Sequence, residues 1–377
     1  MFLGGNNITP AMLAAFLDAL IIAKLPRNLY LYFSNTSLTP ECAFLLANKL
    51  LMNADCPPQL SLEVNSNQFG LEGAAMLIEA IKLSKCQKLK IDLSENELAS
   101  SENHLEDGDR ALYLRKLIEV FKSDNGPKEL EINLSSNRIS DTDCAQLIES
   151  LPACKSRIYN IDLSNNSITE KSIERLTKLF SSERCWSNGL VLNIALSENF
   201  ITDEGITKLI DALALNYYPE GLSLNFQGCK LTEQSLVNLF MAMKPGNFSK
   251  PLNIDLGIKT IREQKIFILL MEVLIAGNYP LGLKFNFNNC SSFSQLHAFA
   301  LLAAWEKGFG QGEESLAKCP FIGENLKNGY LNLLERNKPD KLIKKFRQYS
   351  DPEFITSESS SDEENTSDNE AKAIGLF

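Results

Sequence analysis

The sequence has few of the residues that build metal sites and nucleophilic active sites. Among 377 residues there are two histidines, His104 and His297, far apart in the chain. None of the nine cysteines lies three residues from another, so the paired spacing of zinc sites is absent. There is also no Gly-rich phosphate loop, no G-x-S-x-G and no H-E-x-x-H. The sequence therefore predicts a protein that is not an enzyme and that holds no metal or other cofactor.

Long hydrophobic runs are missing as well. No stretch of about 18 apolar residues could span a bilayer, and the first residues do not combine a basic start, an apolar run and a small-residue cleavage site. The sequence thus predicts no transmembrane segment and no Sec-type signal. An odd number of cysteines without paired spacing fits reduced thiols in a cytosol-like compartment.

The net charge of −10 is concentrated at the C-terminal end. Residues 351–370 contain eight Asp and Glu and no Lys or Arg, and Lys372 is the one base after Arg347. Without residues 351–377, 39 of the 47 acids and 36 of the 37 bases remain, which is a net charge of −3. This balance argues against a nucleic-acid-binding protein, because such a protein needs a basic surface.

One short phrase recurs with a period of about 30 residues. Its clearest copies read LEVNSNQF, IDLSENEL, INLSSNRIS, IDLSNNSIT and IALSENFIT. The residue that closes the phrase is an Asn in six copies, and four copies are degenerate. The closing asparagines are Asn6, Asn67, Asn96, Asn137, Asn166 and Asn199, and the degenerate positions are Thr36, Cys229, Lys259 and Cys290. Ten such units fill residues 1–305.

Each phrase predicts a short strand that ends in an inward turn. Alternating apolar residues such as Ile161 and Leu163 would pack inside. The amide of the closing Asn would pair with backbone groups that the turn leaves unsatisfied. Apolar residues at helical spacing follow each turn, as at Ile206 and Leu209 after the capping residue Thr202. One strand and one helix per unit predict a curved stack with the strands on the inside.

This pattern resembles the ribonuclease-inhibitor-like class of leucine-rich repeats over about four fifths of the chain. The resemblance implies an α/β fold, namely a leucine-rich-repeat solenoid, or horseshoe. It would have about ten strand–helix repeats with a parallel concave sheet over residues 1–305 and a helical C-terminal cap over 306–350. The resemblance says little about a particular partner, because function lives in sites grafted on a fold.

The register of the phrase predicts which side chains point out of the concave face. Four positions before each closing residue, aromatic side chains give way to acids and amides along the column Phe2, Tyr32, Glu63, Asp92, Asn133, Asp162, Ala195, Asn225, Asp255 and Asn286. Neighbouring positions add Tyr30, Glu95, Glu131 and Glu198. The middle of this face should therefore be acidic, with no interleaved basic stripe.

Such a face predicts a docking surface for a basic or mixed patch of another protein. Tyr30 and Tyr32 are candidate anchors, because aromatic side chains dominate interface energies. The alternative is that the acids and amides only keep the strand face soluble. The candidate partner-binding residues are Tyr30, Tyr32, Glu63, Asp92, Glu95, Glu131, Asn133, Asp162, Glu198 and Asp255.

Two further segments allow two interpretations each. The fourth unit is longer by about 12 polar residues, 99–110, which form either a binding loop or a passive surface loop. The basic segment 341–347 is either part of the cap on the last repeat or a helix that binds a membrane surface or a partner.

The acidic C-terminal tail resembles the uncleaved export signal of effectors delivered by type IVB (Dot/Icm) secretion. Residues 356–370 contain no aromatic or aliphatic side chain, which predicts disorder over 351–377. Glu363 and Glu364 would form the acidic block, and Leu376 and Phe377 the apolar end. The resemblance implies a bacterial effector that is secreted into the host cytosol and binds a host protein through the concave face.

Ran GTPase-activating proteins also join this repeat class to an acidic tail, so regulation of a small GTPase is the alternative function. That family relies on an Arg at the edge of the concave face. Arg138, directly after Asn137, is the candidate position in this sequence.

Overall fold

The structure is a computed structural model. It describes residues 1–98, 112–153, 157–183, 189–257, 264–278 and 295–309, together with Lys155 and Trp186. Several predicted features lie outside these residues. They are the 99–110 insertion, Lys259, Asn286, Cys290, most of the cap over 306–350 with its basic segment 341–347, and the tail over 351–377 with Glu363, Glu364, Leu376 and Phe377.

The chain divides into two compact units, Met1–Lys230 and Leu231–Phe377. In the first unit, seven strands alternate with seven described helices. The strands are β1 Asn28–Tyr32, β2 Gln59–Glu63, β3 Lys88–Asp92, β4 Glu129–Asn133, β5 Ile158–Asp162, β6 Val191–Ala195 and β7 Gly221–Asn225. The helices are α1 Pro10–Ile22, α2 Pro40–Leu46, α3 Gly70–Leu83, α4 Leu112–Lys122, α5 Asp141–Ser150, α6 Glu170–Phe180 and α7 Asp203–Ala214.

The seven strands form a parallel sheet in chain order and pair without offset. One row across the sheet consists of Tyr32, Glu63, Asp92, Asn133, Asp162, Ala195 and Asn225. Phe2 continues this row through an isolated parallel bridge to Tyr32. The register thus places the residues of the predicted column side by side on neighbouring strands.

The core of this unit lies on one side of the sheet. Alternate strand residues are buried, as at Leu29 and Leu31 in β1 and at Tyr159 and Ile161 in β5. The helices contribute apolar residues at helical spacing, and α7 buries Ile206, Leu209, Ile210 and Leu213. Each fully buried aliphatic side chain stabilises the fold by about 1.5–3 kcal/mol relative to its exposed state. Burial therefore fixes which side of each strand faces inward.

The second unit contains strand β8 Leu252–Asp255 and the described helices α8 Glu233–Ala242, α9 Gln264–Ile275 and α10 Gln295–Phe309. Helix α9 packs against α10, and both Met271 of α9 and Trp305 of α10 are buried. None of the helices that the structure describes has both the length and the apolar character needed to cross a membrane. The count of ten repeats and the array boundary at residue 305 stay predictions.

Candidate protein-binding face

One face of the seven-stranded sheet, the open face, carries the strand side chains that point away from the core. Apart from Ser61, these side chains are exposed or half-exposed. Near the middle of the sheet they surround a shallow depression of about 470 Å³. Its polar lining consists of Lys90, Asp92, Glu131, Asn133, Asn160, Asp162, Asn193, Ser223 and Asn225. The open face thus offers carboxylates, amides and hydroxyls to a partner.

The closing asparagines join each unit to the one before it. The Oδ1 atom of Asn67 accepts hydrogen bonds from the backbone N–H groups of Thr36 (3.0 Å) and Leu38 (2.9 Å). Its Nδ2 donates to the carbonyl oxygens of Phe33 and Val64, both at 2.9 Å. The same arrangement, with small changes in length, recurs at Asn137, Asn166 and Asn199. These amides are therefore structural, and they set the spacing of the strands that form the open face.

Two of the closing asparagines, Asn6 and Asn96, depart from this pattern. Among the described residues, the Nδ2 of Asn6 donates only within its own unit, to the carbonyl oxygens of Leu3 and Gly4. The Oδ1 of Asn96 is buried without a hydrogen bond among the described residues. The preceding unit enters helix α3 at Gly70, three residues after Asn67, whereas helices α2, α5, α6 and α7 begin four residues after the closing position. At this turn the Gly70 N–H donates to the backbone oxygen of Asn96 at 3.2 Å.

Most acids and amides of the predicted column also have a local role. The Oδ1 atoms of Asp92, Asn133, Asp162 and Asn225 each accept a hydrogen bond, 2.9 Å long, from the backbone N–H two residues later. Asp255 in the second unit does the same toward Gly257 at 2.8 Å. Such bonds end each strand in a defined turn. These side chains therefore shape the edge of the open face, and one oxygen of each is already engaged.

Two lysines, Lys88 and Lys90, lie on the open face, on strand β3. Lys88 pairs with Glu129 at 3.0 Å, and Lys90 pairs with Glu131 at 2.8 Å. The hydrogen bond that Lys90 donates to the Glu131 carboxylate raises the pKa of Lys90. The expectation of an acidic middle without interleaved bases is thus wrong at β3. The alternation of the phrase KLKID already carried this signal, because two of its three outward positions are lysines.

The open face nevertheless keeps an excess of acidic side chains. Its strand positions hold Glu63, Asp92, Glu129, Glu131 and Asp162 against the two lysines. The two pairs on β3 and β4 leave the remaining carboxylates without a lysine partner among the described residues. The net charge of this surface is negative, as a partner with basic groups requires.

Three predicted charged residues lie in the turns beyond the strand ends rather than on the strands. Glu95 and Glu198 are exposed and both have a left-handed backbone with φ of 54°. A carboxylate oxygen of Glu95 accepts a hydrogen bond from the hydroxyl of Ser66 at 2.9 Å. Arg138 is also exposed and left-handed, with φ of 59°. These residues therefore line the edge of the open face and not its floor.

Aromatic side chains lie at the end of the open face where the array begins. Tyr30 is 67% exposed and Phe2 is 87% exposed. The ring centroids of Phe2 and Tyr32 lie 5.7 Å apart with a tilt of 51°. The predicted anchors Tyr30 and Tyr32 are thus neighbours on one strand, with Phe2 beside them.

The structure also brings together two cysteines that sequence reasoning did not connect. Cys56 and Cys86 are both buried and belong to neighbouring units. A hydrogen bond from the Cys86 thiol lowers the pKa of Cys56 to about 7, and the same contact raises the pKa of Cys86. Burial shields both sulfurs from larger reagents. Among the described residues, no three His, Cys, Asp or Glu side chains converge as ligands of one metal ion.

A scan of the sequence against protein-family models finds no match, and a search of curated proteins finds no similar sequence. The structure itself gives the fold at a coarser level. It is an α/β arrangement in which parallel strands alternate with helices, and this arrangement is compatible with a leucine-rich-repeat-like solenoid.

Proposed function

We propose that this chain is a leucine-rich-repeat protein of the ribonuclease-inhibitor-like class that binds another protein on its open face and catalyses no reaction. In this proposal about ten repeats form a horseshoe, and the open face is its concave side. One observation carries the proposal: seven parallel strands present a mostly polar surface with exposed aromatics at one end. A surface of this kind offers many weak contacts over a large area, which suits a protein partner better than a small molecule.

The charge of the open face indicates the kind of partner. Carboxylates outnumber lysines there, and the amides Asn160 and Asn193, joined by a 2.5 Å hydrogen bond, form its uncharged centre. Complementary charge steers encounter and fixes orientation more than it adds affinity. We therefore propose a partner whose contact surface is basic or mixed.

A capture experiment with charge reversals tests this proposal. The full chain, a face variant with Glu63→Lys and Glu131→Lys, and a control variant with Glu72→Lys and Glu174→Lys would be used as baits in eukaryotic cell lysate. The control changes the net charge by the same amount at exposed helix positions. We expect the face variant to retain about tenfold less of a partner held by the other two baits.

Circular dichroism of the three baits would establish that each is folded. Equal retention of the same proteins by the face variant and by the wild-type chain would place the binding surface elsewhere.

We also propose that the protein is a bacterial effector delivered into the host cytosol, with residues 356–377 as its export signal. The acidic block and the apolar end of the sequence support this proposal. A reporter fused to the full chain should reach the host cytosol from a bacterium with type IVB secretion, and removal of residues 356–377 should stop delivery. Undiminished delivery without the tail would contradict the proposal.

A further inference from the structure

Four side chains at one end of the open face, Phe2, Tyr30, Tyr32 and Glu63, form what we call the aromatic corner. Tyr32 lies between Phe2 and Glu63 in the same row of the sheet. Tyr30 is two residues earlier on the same strand and therefore points to the same side. Three aromatic residues and one carboxylate thus occupy neighbouring positions on the open face.

The rings of the aromatic corner are exposed, yet one of them is held in place. Phe2 and Tyr30 expose 87% and 67% of their surface. Tyr32 packs against Gly4, where an added Cβ would lie 2.3 Å from Cε1 of the tyrosine ring. Any larger residue at Gly4 would displace that ring. Among the described residues, the chain therefore keeps a pre-positioned aromatic surface in which Phe2 and Tyr30 are exposed and Tyr32 is half-buried.

Glu63 is the member of its row whose carboxylate remains available. The acids and amides at the same position on β3, β4, β5 and β7 bind the backbone two residues later. Among the described residues the Glu63 carboxylate has neither a hydrogen bond nor a salt bridge, and it meets Lys90 only through a longer-range attraction. The Glu63 side chain is longer than those of Asp and Asn and does not form the hydrogen bond to the turn. It therefore presents a free carboxylate beside Tyr32. A cation is the natural ligand of that group.

The protein's own cations near the corner already have partners, and the Met1 ammonium donates to the backbone oxygen of Tyr30 at 2.7 Å. Lys90 lies on the adjacent strand, opposite Ser61, and is held by Glu131 at 2.8 Å. The cation that fills the corner must therefore come from outside. A planar guanidinium suits it best, because it stacks on tyrosine faces and pairs with a carboxylate in the same plane.

We propose that the aromatic corner binds an arginine side chain of the partner protein, with the guanidinium stacked on Tyr30 and Tyr32 and paired with Glu63. This inference rests on the proposed function and names the chemistry of one contact within it. Arginine and tyrosine are also the residues most enriched among energetically dominant interface contacts.

The test uses a minimal probe, the tripeptide acetyl-Gly-Arg-Gly-amide, and the full chain labelled with ¹³C in its tyrosine rings. NMR titration should shift the signals of Tyr30 and Tyr32 saturably, with a dissociation constant in the millimolar range, as expected for two weak contacts. The same tripeptide with citrulline, which keeps the shape but not the charge, should leave these signals in place. Glu63→Gln should weaken binding at least about fivefold, and the control Glu72→Gln should not change it.

The inference fails if the tyrosine signals do not move at about 20 mM peptide, or if arginine and citrulline peptides shift them equally. Its failure is separable from failure of the proposed function. A partner lost from the face variant with Glu63→Lys and Glu131→Lys but retained by Tyr30→Leu and Glu63→Gln would keep the docking face and overturn the arginine contact.

Discussion

Replacement of Asn166 by leucine is expected to lower the free energy of unfolding by about 3–5 kcal/mol. The Oδ1 of Asn166 accepts from the backbone N–H groups of Asn137 (3.0 Å) and Ile139 (2.9 Å). Its Nδ2 donates to the carbonyl oxygens of Leu134 (3.2 Å) and Leu163 (3.0 Å). Asn166 is 5% exposed, so water cannot replace these partners. Leucine has the same branching but a larger volume, so the loss combines buried backbone groups left without hydrogen bonds with a smaller cost of overpacking.

Asn6→Leu is the matched control for this prediction. Asn6 occupies the same position of the repeat, but it is exposed and its amide donates only within its own unit. We expect it to cost less than about 1 kcal/mol. Urea denaturation of both variants, followed by circular dichroism, measures the difference. Equal losses of unfolding free energy in the two variants would mean that the hydrogen bonds between units add no stability beyond those within one turn.

Asp141→Ala is expected to lower the free energy of unfolding by about 2–4 kcal/mol at pH 7, because one carboxylate holds the start of the next helix. Its Oδ1 accepts from the backbone N–H of Thr169 at 2.9 Å and of Ser172 at 3.2 Å. The Thr169 hydroxyl donates to Oδ2 and the Ser172 hydroxyl donates to Oδ1, each at 2.6 Å. These bonds join the first turn of α5 to that of α6 in the following unit.

The effect of this substitution should depend on pH. Burial alone would raise the pKa of Asp141, but the hydrogen bonds from Ser172 and Thr169 outweigh it and hold the pKa below its usual value. A lowered pKa in the folded state means that the stabilisation is complete above about pH 4 and is lost as the pH falls through the folded-state pKa. The difference between wild type and Asp141→Ala should therefore shrink at acidic pH.

Asp143→Ala controls for the general effect of an acid near the start of a helix. Asp143 lies in the same turn of α5, but its bonds, 3.0 Å and 2.7 Å long, return to Ser140 in the same unit. Its loss should cost about 1 kcal/mol, as for an ordinary capping residue. Denaturant melts of both variants between pH 3 and pH 7 provide the comparison. A pH-independent loss for Asp141→Ala would contradict the role assigned to the ionised carboxylate.

The sequence predicts the row of the sheet because the repeat phrase has a strict internal period. Each strand residue falls at a fixed distance from the closing position, so the row from Tyr32 to Asn225 follows from counting. The same counting places the closing asparagines where consecutive units meet. Local periodicity is enough for both, since parallel strands pair here without offset.

Other features could not be predicted, because they depend on contacts between side chains in space. Counting places Lys90 and Glu131 opposite each other on neighbouring strands, but it does not show that their side chains form an ion pair. The turn bonds of Asp92 and Asp162 compete with partner binding for the same oxygens, and the repeat phrase does not say which use prevails. Cys56 and Cys86 occupy slightly different offsets before their strands, so a repeat alignment does not pair them.

The role of the open face as a protein-binding surface can be tested most directly by photo-crosslinking from its floor. A benzophenone amino acid would replace Asn160 or Asn193 in the full chain, and Glu72 or Glu174 in matched helix-side controls, before incubation with eukaryotic cell lysate. We predict that Asn160 and Asn193 crosslink to the protein that the wild-type bait retains, and that the helix positions do not. Crosslinks to that protein from Glu72 or Glu174 alone would contradict binding on the open face.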